Sequence, residues 1–385
     1  MIRERSFEHL LRRSSVHLHL IAGTLGVLAL ALMASPVAAQ PHIQNARIET
    51  RSAANGLERE VERIASSGAT TWIGYSVPMV PGNRLMCCGG CGQFGDGSRS
   101  GCCRLDDGTG VTMIDDGFQR SGSTMTLEPP TEFFVLARVE RGSVTRLRTF
   151  TPDCQVDGGG ATVVWLDNVR PADSVAWLSS LVTAAPPPER GTPNVGKQAL
   201  IATSLHRDPA ADSALERFVA PNQPEWLRRE TPFWLGSARG EPGARVLARM
   251  IAPGAGDPSD SVRDKVTFGL SVSKQPIALT TLIAAARQDH SAHVRGQALF
   301  WLGQKAGKEA VGAITDAIDQ DPETAVKKKA VFALSQLPKD DGIPKLIEVA
   351  RTNKNPEVRK QAMFWLGQSK DPRAISFFEE ILTRR

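Results

Sequence analysis

From residue 195 onward apolar positions recur at helical spacing, and the whole pattern then repeats. HVRGQALFWLGQ (His293 to Gln304) returns as EVRKQAMFWLGQ (Glu357 to Gln368). Between them stands AVKKKAVFALSQ (Ala325 to Gln336), and before them SVRDKVTFGLSV (Ser261 to Val272). Val262, Val294, Val326 and Val358 stand at one constant interval. So do Phe268, Phe300, Phe332 and Phe364, and Leu270, Leu302, Leu334 and Leu366. Two looser units begin at Leu227 and at Val195, at nearly the same interval. A period in this range, roughly thirty positions, marks stacked supersecondary units.

Each unit predicts two helices. In the first, Val294, Ala298, Trp301 and Leu302 fall on one face at about 3.6 residues per turn, as do Val358, Ala362, Trp365 and Leu366. The phenylalanine between them lies on the other side, so the helix is apolar on two sides and needs cover on both. The second helix often opens near a proline, as in QPIALTTLI, GIPKLIEVA and DPRAISFFEEIL, where a first-turn proline loses no hydrogen bond. In the last of these Ile375, Phe378 and Leu382 mark the expected buried stripe. Pro232 falls inside a first helix, where an interior proline costs about 3 kcal/mol. With the insert APGAGDPSD (Ala252 to Asp260) it predicts an irregular bend near residues 230–260.

The V-R-x-x-A opening, the leucine-glycine close, the aspartate-proline turn and the apolar second helix resemble the short HEAT-like repeat, an α-solenoid unit related to armadillo repeats. The resemblance covers about Val195 to Arg385, half the chain. It implies a solenoid of about six helical hairpins that binds a protein or peptide. Some proteins with such repeats are bilin lyases, but no further residue here points that way. A basic residue follows each anchor from Leu227 onward: Arg228, then Arg263, Arg295, Lys327 and Arg359. The last four are candidates for a partner surface, although pairing with aspartates of the neighbouring repeat is the stronger expectation. Trp234, Trp301 and Trp365 are expected to be core residues rather than a ligand stripe. Lys327 to Lys329 is expected to be a solvated face.

The N-terminal half has a different pattern. Gln44 to Ser66 reads as an amphipathic helix weakened by Gly56. TTWIGYSV (Thr70 to Val77) and ATVVWL (Ala161 to Leu166) read as strands. Thr131 to Phe150 reads as a hairpin turning at Arg141-Gly142, and Pro171 to Val182 as a short helix capped by Asp173 or Ser174. Together they predict a small α+β domain with a mainly antiparallel sheet, resembling no recognised superfamily.

Composition adds a compartment and a boundary. Arg3, Arg5, Arg12 and Arg13 precede an apolar run from about Leu18 to Met33, and Val37 and Ala39 are small where a signal peptidase reads. This predicts a secretory signal over residues 1–39, cleaved after Ala39, and an exported, periplasmic chain. No later stretch is apolar enough to span a bilayer, so no stable membrane span is expected after cleavage. The net charge is +5, spread over mixed signs once the leader is removed, and does not argue for nucleic acid. All six cysteines lie before residue 155 and all lysines at or after Lys197. TAAPPPERGTP (Thr183 to Pro193) lies between them and reads as a stiff spacer. The expected organisation is therefore an α+β cysteine-containing domain (40–183), a proline-rich linker (184–193) and a HEAT-like solenoid (194–385).

The chemical inventory is thin. Beyond the leader only His42, His206, His290 and His293 remain, with no GxSxG, HExxH or CxxCH motif. GTPNVGKQ (Gly191 to Gln198) falls short of a phosphate loop, with Gln198 where Mg²⁺ needs a hydroxyl and no strand before it. His290 and His293 are at most a weak metal pair. No catalytic residue and no cofactor is indicated. Cys87, Cys88, Cys91, Cys102, Cys103 and Cys154 remain. Adjacent Cys102 and Cys103 suit zinc poorly, and GQFGDGSRSG supplies no helix to activate the thiols of the CxxC formed by Cys88 and Cys91. An exported domain with an even cysteine count points to disulfides. RLMCC and CCRL are near mirror images, which suggests Cys87 with Cys103 and Cys88 with Cys102, leaving Cys91 for Cys154; other pairings stay open. The leading expectation is an exported, non-enzymatic adaptor. The alternative is a metal-binding or thiol-redox protein, or an enzyme subunit, acting through the cysteine cluster with the solenoid as docking arm.

Overall fold

The computed structural model describes residues 43–82, 85–88, 104–106, 112–115, 129–152, 154, 156–183, 185, 194–305 and 307–383. Among them no helix is long and apolar enough to cross a membrane. The leader, most of the cysteine cluster and most of the proline-rich segment lie outside the described residues.

The N-terminal region runs β1 (Ile43–Gln44), β2 (Arg47–Ser52), α1 (Leu57–Ala65), β3 (Thr71–Pro78), β4 (Leu85–Cys88), β5 (Thr112–Asp115), β6 (Glu132–Glu140), β7 (Ser143–Phe150), β8 (Val156–Asp157), β9 (Thr162–Asp167) and α2 (Pro171–Ser180). Its main sheet has the order β2-β9-β3-β6-β7. The β6–β7 hairpin turns at Arg141 and Gly142, both at positive φ, the turn whose twist suits two paired strands. Along β3 the side chains alternate. Ile73, Tyr75 and Val77 meet α1, α2 and the first solenoid helix, whereas Trp72 joins Phe134, Phe150 and Trp165 on the opposite face. Gly74 leaves room for the Trp165 ring, since a Cβ there would stand 2.9 Å from it.

Three expectations change here. Residues 47–52 are not helical: they form an exposed edge strand, parallel to β9 from Arg47↔Thr162 to Ser52↔Asp167, and only Leu57–Ala65 is helix. The ladder to β9 satisfies their backbone, a long-range partner that local periodicity does not reveal. The sheet is mixed rather than mainly antiparallel, because β9 inserts between β2 and β3 and pairs with both in parallel. Finally, α2 is entered through Pro171 after Arg170, with no side-chain cap; Asp173 instead receives the Arg170 guanidinium at 2.8 Å, and Ser174 turns inward.

From residue 194 the chain forms six helical hairpins: α3 (Val195–Leu205) with α4 (Pro209–Phe218), α5 (Glu225–Ala238) with α6 (Gly240–Met250), α7 (Asp260–Val272) with α8 (Pro276–Gln288), α9 (Ala292–Lys305) with α10 (Gly307–Gln320), α11 (Thr324–Gln336) with α12 (Lys339–Thr352), and α13 (Pro356–Gln368) with α14 (Pro372–Thr383). The first helices α5, α7, α9, α11 and α13 stack as one layer and bury Val262, Val294, Val326 and Val358 fully. α5 continues through Pro232, and Thr231 back-bonds to the Leu227 carbonyl at 2.7 Å. Gly236 and Gly269 let α5 and α7 touch backbone to backbone: a Cβ on Gly236 would lie 1.9 Å from the Gly269 oxygen. Pro344 lies inside α12 rather than at its start. On α14 the buried residues are Ala374 and Phe377, while Ile375 and Leu382 are exposed. The helix presents the adjacent stripe to α12 and α13, with the Arg351 guanidinium of α12 over the Phe377 ring.

The two regions share a core. Ala199, Ala202 and Leu205 of α3 pack with Ile73, Val77, Met79 and Phe133. After α3 the chain pairs with the end of β3: the Val80 N–H donates to the Leu205 carbonyl and the Arg207 N–H to the Pro78 carbonyl, both at 2.9 Å. The buried Arg239 guanidinium closes this junction on the carbonyls of Ser204 and His206 and on the Asp212 carboxylate.

Candidate protein-docking site

The basic residue after each anchor belongs to a ladder that ties hairpin to hairpin. An acceptor recurs once per repeat at the entry to a first helix: Asp257, Asp289, Asp321 and Asn353. Each accepts the N–H two positions on, at 2.9–3.0 Å, an Asx turn that starts the helix. Arg263 donates back to the Asp257 carbonyl at 2.6 Å and forward, bidentate, to Asp289 at 2.8 and 3.2 Å. Arg295 repeats this with the Asp289 carbonyl at 2.9 Å and Asp321 at 2.6 and 3.0 Å. Arg228 pairs with Asp257 in the same sense. The hydrogen bonds that Arg295 donates to the Asp321 carboxylate hold its pKa above the usual value despite burial. Arg263 and Arg295 are buried in these pairs, which corrects their candidacy as surface cations. Lys327 and Arg359 are half-buried: Lys327 donates to the Asp319 carbonyl at 2.7 Å and Arg359 to the Asn353 carbonyl at 2.8 Å.

The aromatic residues form the second ladder, on the outer side of the first-helix layer. Phe233 stacks on Phe268 at 5.5 Å, Phe268 meets Trp301 at 5.0 Å, Phe300 stacks on Phe332 at 5.9 Å, and Phe332 meets Trp365 at 5.0 Å. Within each FW pair the rings stand edge to face at 4.8–5.0 Å. The tryptophans pack against the core, and the rings of the row are half-buried except Phe364, which is 53% exposed. Trp234, Trp301 and Trp365 are therefore neither fully core nor a free stripe. Trp301 and Trp365 each lean on the phenylalanine of the preceding repeat, Phe268 and Phe332, and in the sequence FWL alternates with FGL (268–270) and FAL (332–334). That alternation is the sequence signal that marks the row.

Where α9, α11 and α13 meet, the row lines a shallow groove of about 370 Å³. Phe300, Phe332 and Trp365 make its apolar surface, and Gln297, Gln361, Lys328 and Lys329 its polar border. Gly296 clears a path for Lys329, whose Cδ would lie 2.4 Å from a Cβ at that position. The lysine run is thus partly built into the groove wall rather than merely solvated. Half-exposed rings with polar margins fit a peptide or protein surface.

The remaining chemistry is structural. His206 is buried, with Nδ1 2.7 Å from the Ala202 carbonyl and Nε2 2.8 Å from Ser174 Oγ. A carbonyl only accepts, so Nδ1 carries the proton and Nε2 accepts from the Ser174 hydroxyl. Ser174 in turn accepts from the Tyr75 hydroxyl at 2.8 Å. Burial pushes His206 down to about 4 and the Tyr75 phenol above its ordinary value. This Ser–His pair is fully buried. His290 and His293 are exposed and stand beside Asp260 and Asp264. Among the described residues no group of His, Cys, Asp and Glu could hold a metal ion. Gln198 is buried in α3, away from any phosphate-loop geometry.

Of the cysteines, Cys154 is buried against Phe150 and Leu105 beneath the main sheet and is disulfide-bonded. Cys87 and Cys88 lie on β4, opposite Met113 and Thr112 of β5. β4 pairs with β5 and Arg104 bridges to Asp157, while the Cys102–Cys103 half of the expected hairpin-like closure lies outside the described residues. The Met86 N–H donates to Thr151 Oγ1, and the Thr151 N–H to the Met86 carbonyl, both at 3.1 Å, which brings β4 beside the Cys154 turn. Cys91, Cys102 and Cys103 lie outside the described residues.

The HEAT repeat family matches residues 279–362 and 311–385. Human deoxyhypusine hydroxylase in complex with glycerol is 17% identical over 56% of this chain and 91% of its own, with a TM-score of 0.29. The CpcE–CpcF phycocyanin lyase complex of Nostoc sp. is 24% identical over 41% of this chain and 99% of its own, with a TM-score of 0.32. No curated protein matches the chain.

Proposed function

We propose that this chain is an exported adaptor, without catalytic activity of its own, that holds a protein partner against the first-helix face of its solenoid. The single observation that carries this reading is the half-exposed aromatic row from Phe233 to Trp365, widening into a groove over α9, α11 and α13. The HEAT match at residues 279–385 supports a protein-interaction scaffold. Export to the periplasm rests on the leader over residues 1–39 and its Val37-Ala38-Ala39 close. The buried, bonded Cys154 supports a cysteine cluster that acts as a staple. A staple closing the loop from the first cysteines to Cys154 contributes on the order of 3–4.5 kcal/mol in the chain-entropy picture.

Affinity capture with the full exported chain tests the docking face. Phe300→Ser/Phe332→Ser should lose the captured partner, while Arg287→Ala, on the second-helix layer, should retain it. Equal capture by all three chains removes the groove from the reading. Thiol titration and metal analysis test the other half. The staple predicts no free thiol, whereas free thiols with stoichiometric zinc or copper favour the metal or redox alternative.

A further inference from the structure

The aromatic row is built from one module used twice. Phe233, Phe268 and Trp301 are related in sequence to Phe300, Phe332 and Trp365 by a shift of two repeats. Both sets keep the same arrangement. Phe233 and Phe268 stack at 5.5 Å and 16°, Phe300 and Phe332 at 5.9 Å and 8°, and the tryptophan then leans on the second phenylalanine at 5.0 Å in each.

The borders of the two modules differ in charge. Beside the first module the equivalent helix positions hold Glu230, Asp264 and Lys265, and these neutralise one another or their neighbours. Lys197 reaches Glu230 at 3.1 Å, Lys265 reaches Asp264 at 3.3 Å, and His293 meets Asp264 at 3.2 Å. Beside the second module stand Lys328 and Lys329, followed by Lys360 at the next repeat position. Lys328 has only a loose contact with Glu357 at 3.9 Å. Among the described residues Lys329 and Lys360 form no ion pair. The aromatic row is apolar along its length, and its groove end, over α9, α11 and α13, is positive.

We infer that the aromatic row, from Phe233 to the groove at Trp365, takes an extended segment of a protein partner that carries two apolar side chains and an acidic run beside one of them. This deepens the adaptor reading and rests on it. First helices of adjacent repeats pack about 8–10 Å apart, so equivalent points of the two modules are roughly 16–20 Å apart. An extended chain rises about 3.3 Å per residue and covers that distance in about five or six residues. The apolar anchors therefore stand about five or six residues apart. The acidic run lies at the anchor over Phe332 and Trp365, where the lysine ammonium groups attract carboxylates and repel a basic segment.

Isothermal titration of the full exported chain tests this with capped synthetic peptides. One peptide carries phenylalanine and leucine separated by a glycine–serine spacer of that length, with three glutamates beside the leucine. A second replaces the glutamates with lysines, and a third replaces both apolar residues with alanine. The first should bind at least about tenfold more tightly than either of the others, and more weakly as salt rises. Lys328→Glu/Lys329→Glu should reverse the preference between the acidic and basic peptides. Both positions are half-exposed, and circular dichroism checks that the variant keeps its fold. Equal binding of acidic and basic peptides, or a preference the charge reversal leaves unmoved, overturns the inference and leaves the adaptor reading intact. No binding of any peptide, with partner capture still sensitive to Phe300→Ser/Phe332→Ser, overturns the extended-segment inference alone. Capture insensitive to that pair sinks both.

Discussion

At the residue scale, the His206–Ser174–Tyr75 chain shows how burial turns reactive side chains into structure. Neutral His206 satisfies a carbonyl and a hydroxyl; protonated, it would give Ser174 a donor where an acceptor is needed. The unfolded chain takes up this proton near pH 6.5 and the folded chain only near 4. The unfolded state therefore binds more protons between those values, so stability is full above about pH 6.5 and falls as pH drops towards 4. The loss reaches about 3 kcal/mol. Urea denaturation at pH 7, 5.5 and 4.5 should show this slope in the native chain and a much shallower one in His206→Gln. An unchanged slope in the variant assigns the acid sensitivity elsewhere. In the sequence His206 and Ser174 are far apart and share no motif; only the meeting of α2, α3 and β3 makes them partners.

At the element scale, the Arg–Asp ladder is the connection between hairpins. Removing one member of a buried pair leaves a desolvated charge, a change that typically costs about 3–5 kcal/mol. Arg263→Ala should therefore lower the thermal midpoint far more than Arg351→Ala, whose Glu380 partner is partly exposed. The ladder is interrupted once, and on both sides together: Lys327 replaces arginine and Asn353 replaces aspartate. Lys327→Arg combined with Asn353→Asp should stabilise the chain beyond the sum of the single changes. The coupling should be at least about 0.5 kcal/mol in a double-mutant cycle; zero coupling means the register at α11–α13 differs from that at α9–α11. Close helix contact makes a third element-level prediction. Gly236→Ala places a methyl against the Gly269 backbone, which cannot give way as a side chain could. A loss of about 1–3 kcal/mol is expected, read as a lower midpoint in thermal denaturation.

At the scale of the whole molecule, stacked repeats depend on their neighbours, and the first repeat has a β-sheet as its neighbour. A chain beginning at Asn194 lacks the surface that covers Ala199, Ala202 and Leu205. Amide exchange in α3 should then become fast, while α9 to α13 stay protected. Equal protection in both chains means that α3 needs only α4 and α5. The N-terminal region is thus attached to the solenoid by packing as well as by sequence.

The sequence by itself determined the repeat: its length, its two helices, the fully buried valines and leucines, and the β6–β7 hairpin with its Arg141-Gly142 turn. These follow from periodicity and turn chemistry, which act between residues close in the chain. It also placed a basic residue after each anchor, and the recurrence of Asp257, Asp289 and Asp321 carries the partner of each for a reader who looks to the start of the next repeat. Tertiary structure alone decided the rest. Residues 47–52 became a strand because β9, far later in the chain, supplies their hydrogen bonds. Ile375 faces outward rather than inward because helix rotation is set by the neighbouring helix, and a shift of one residue moves a side chain by about 100°. The proposed docking face belongs to this second class. Its phenylalanines and tryptophans are plain in the sequence as an apolar pattern. Whether such rings are core or surface depends on what covers them, and above α9, α11 and α13 no described element does.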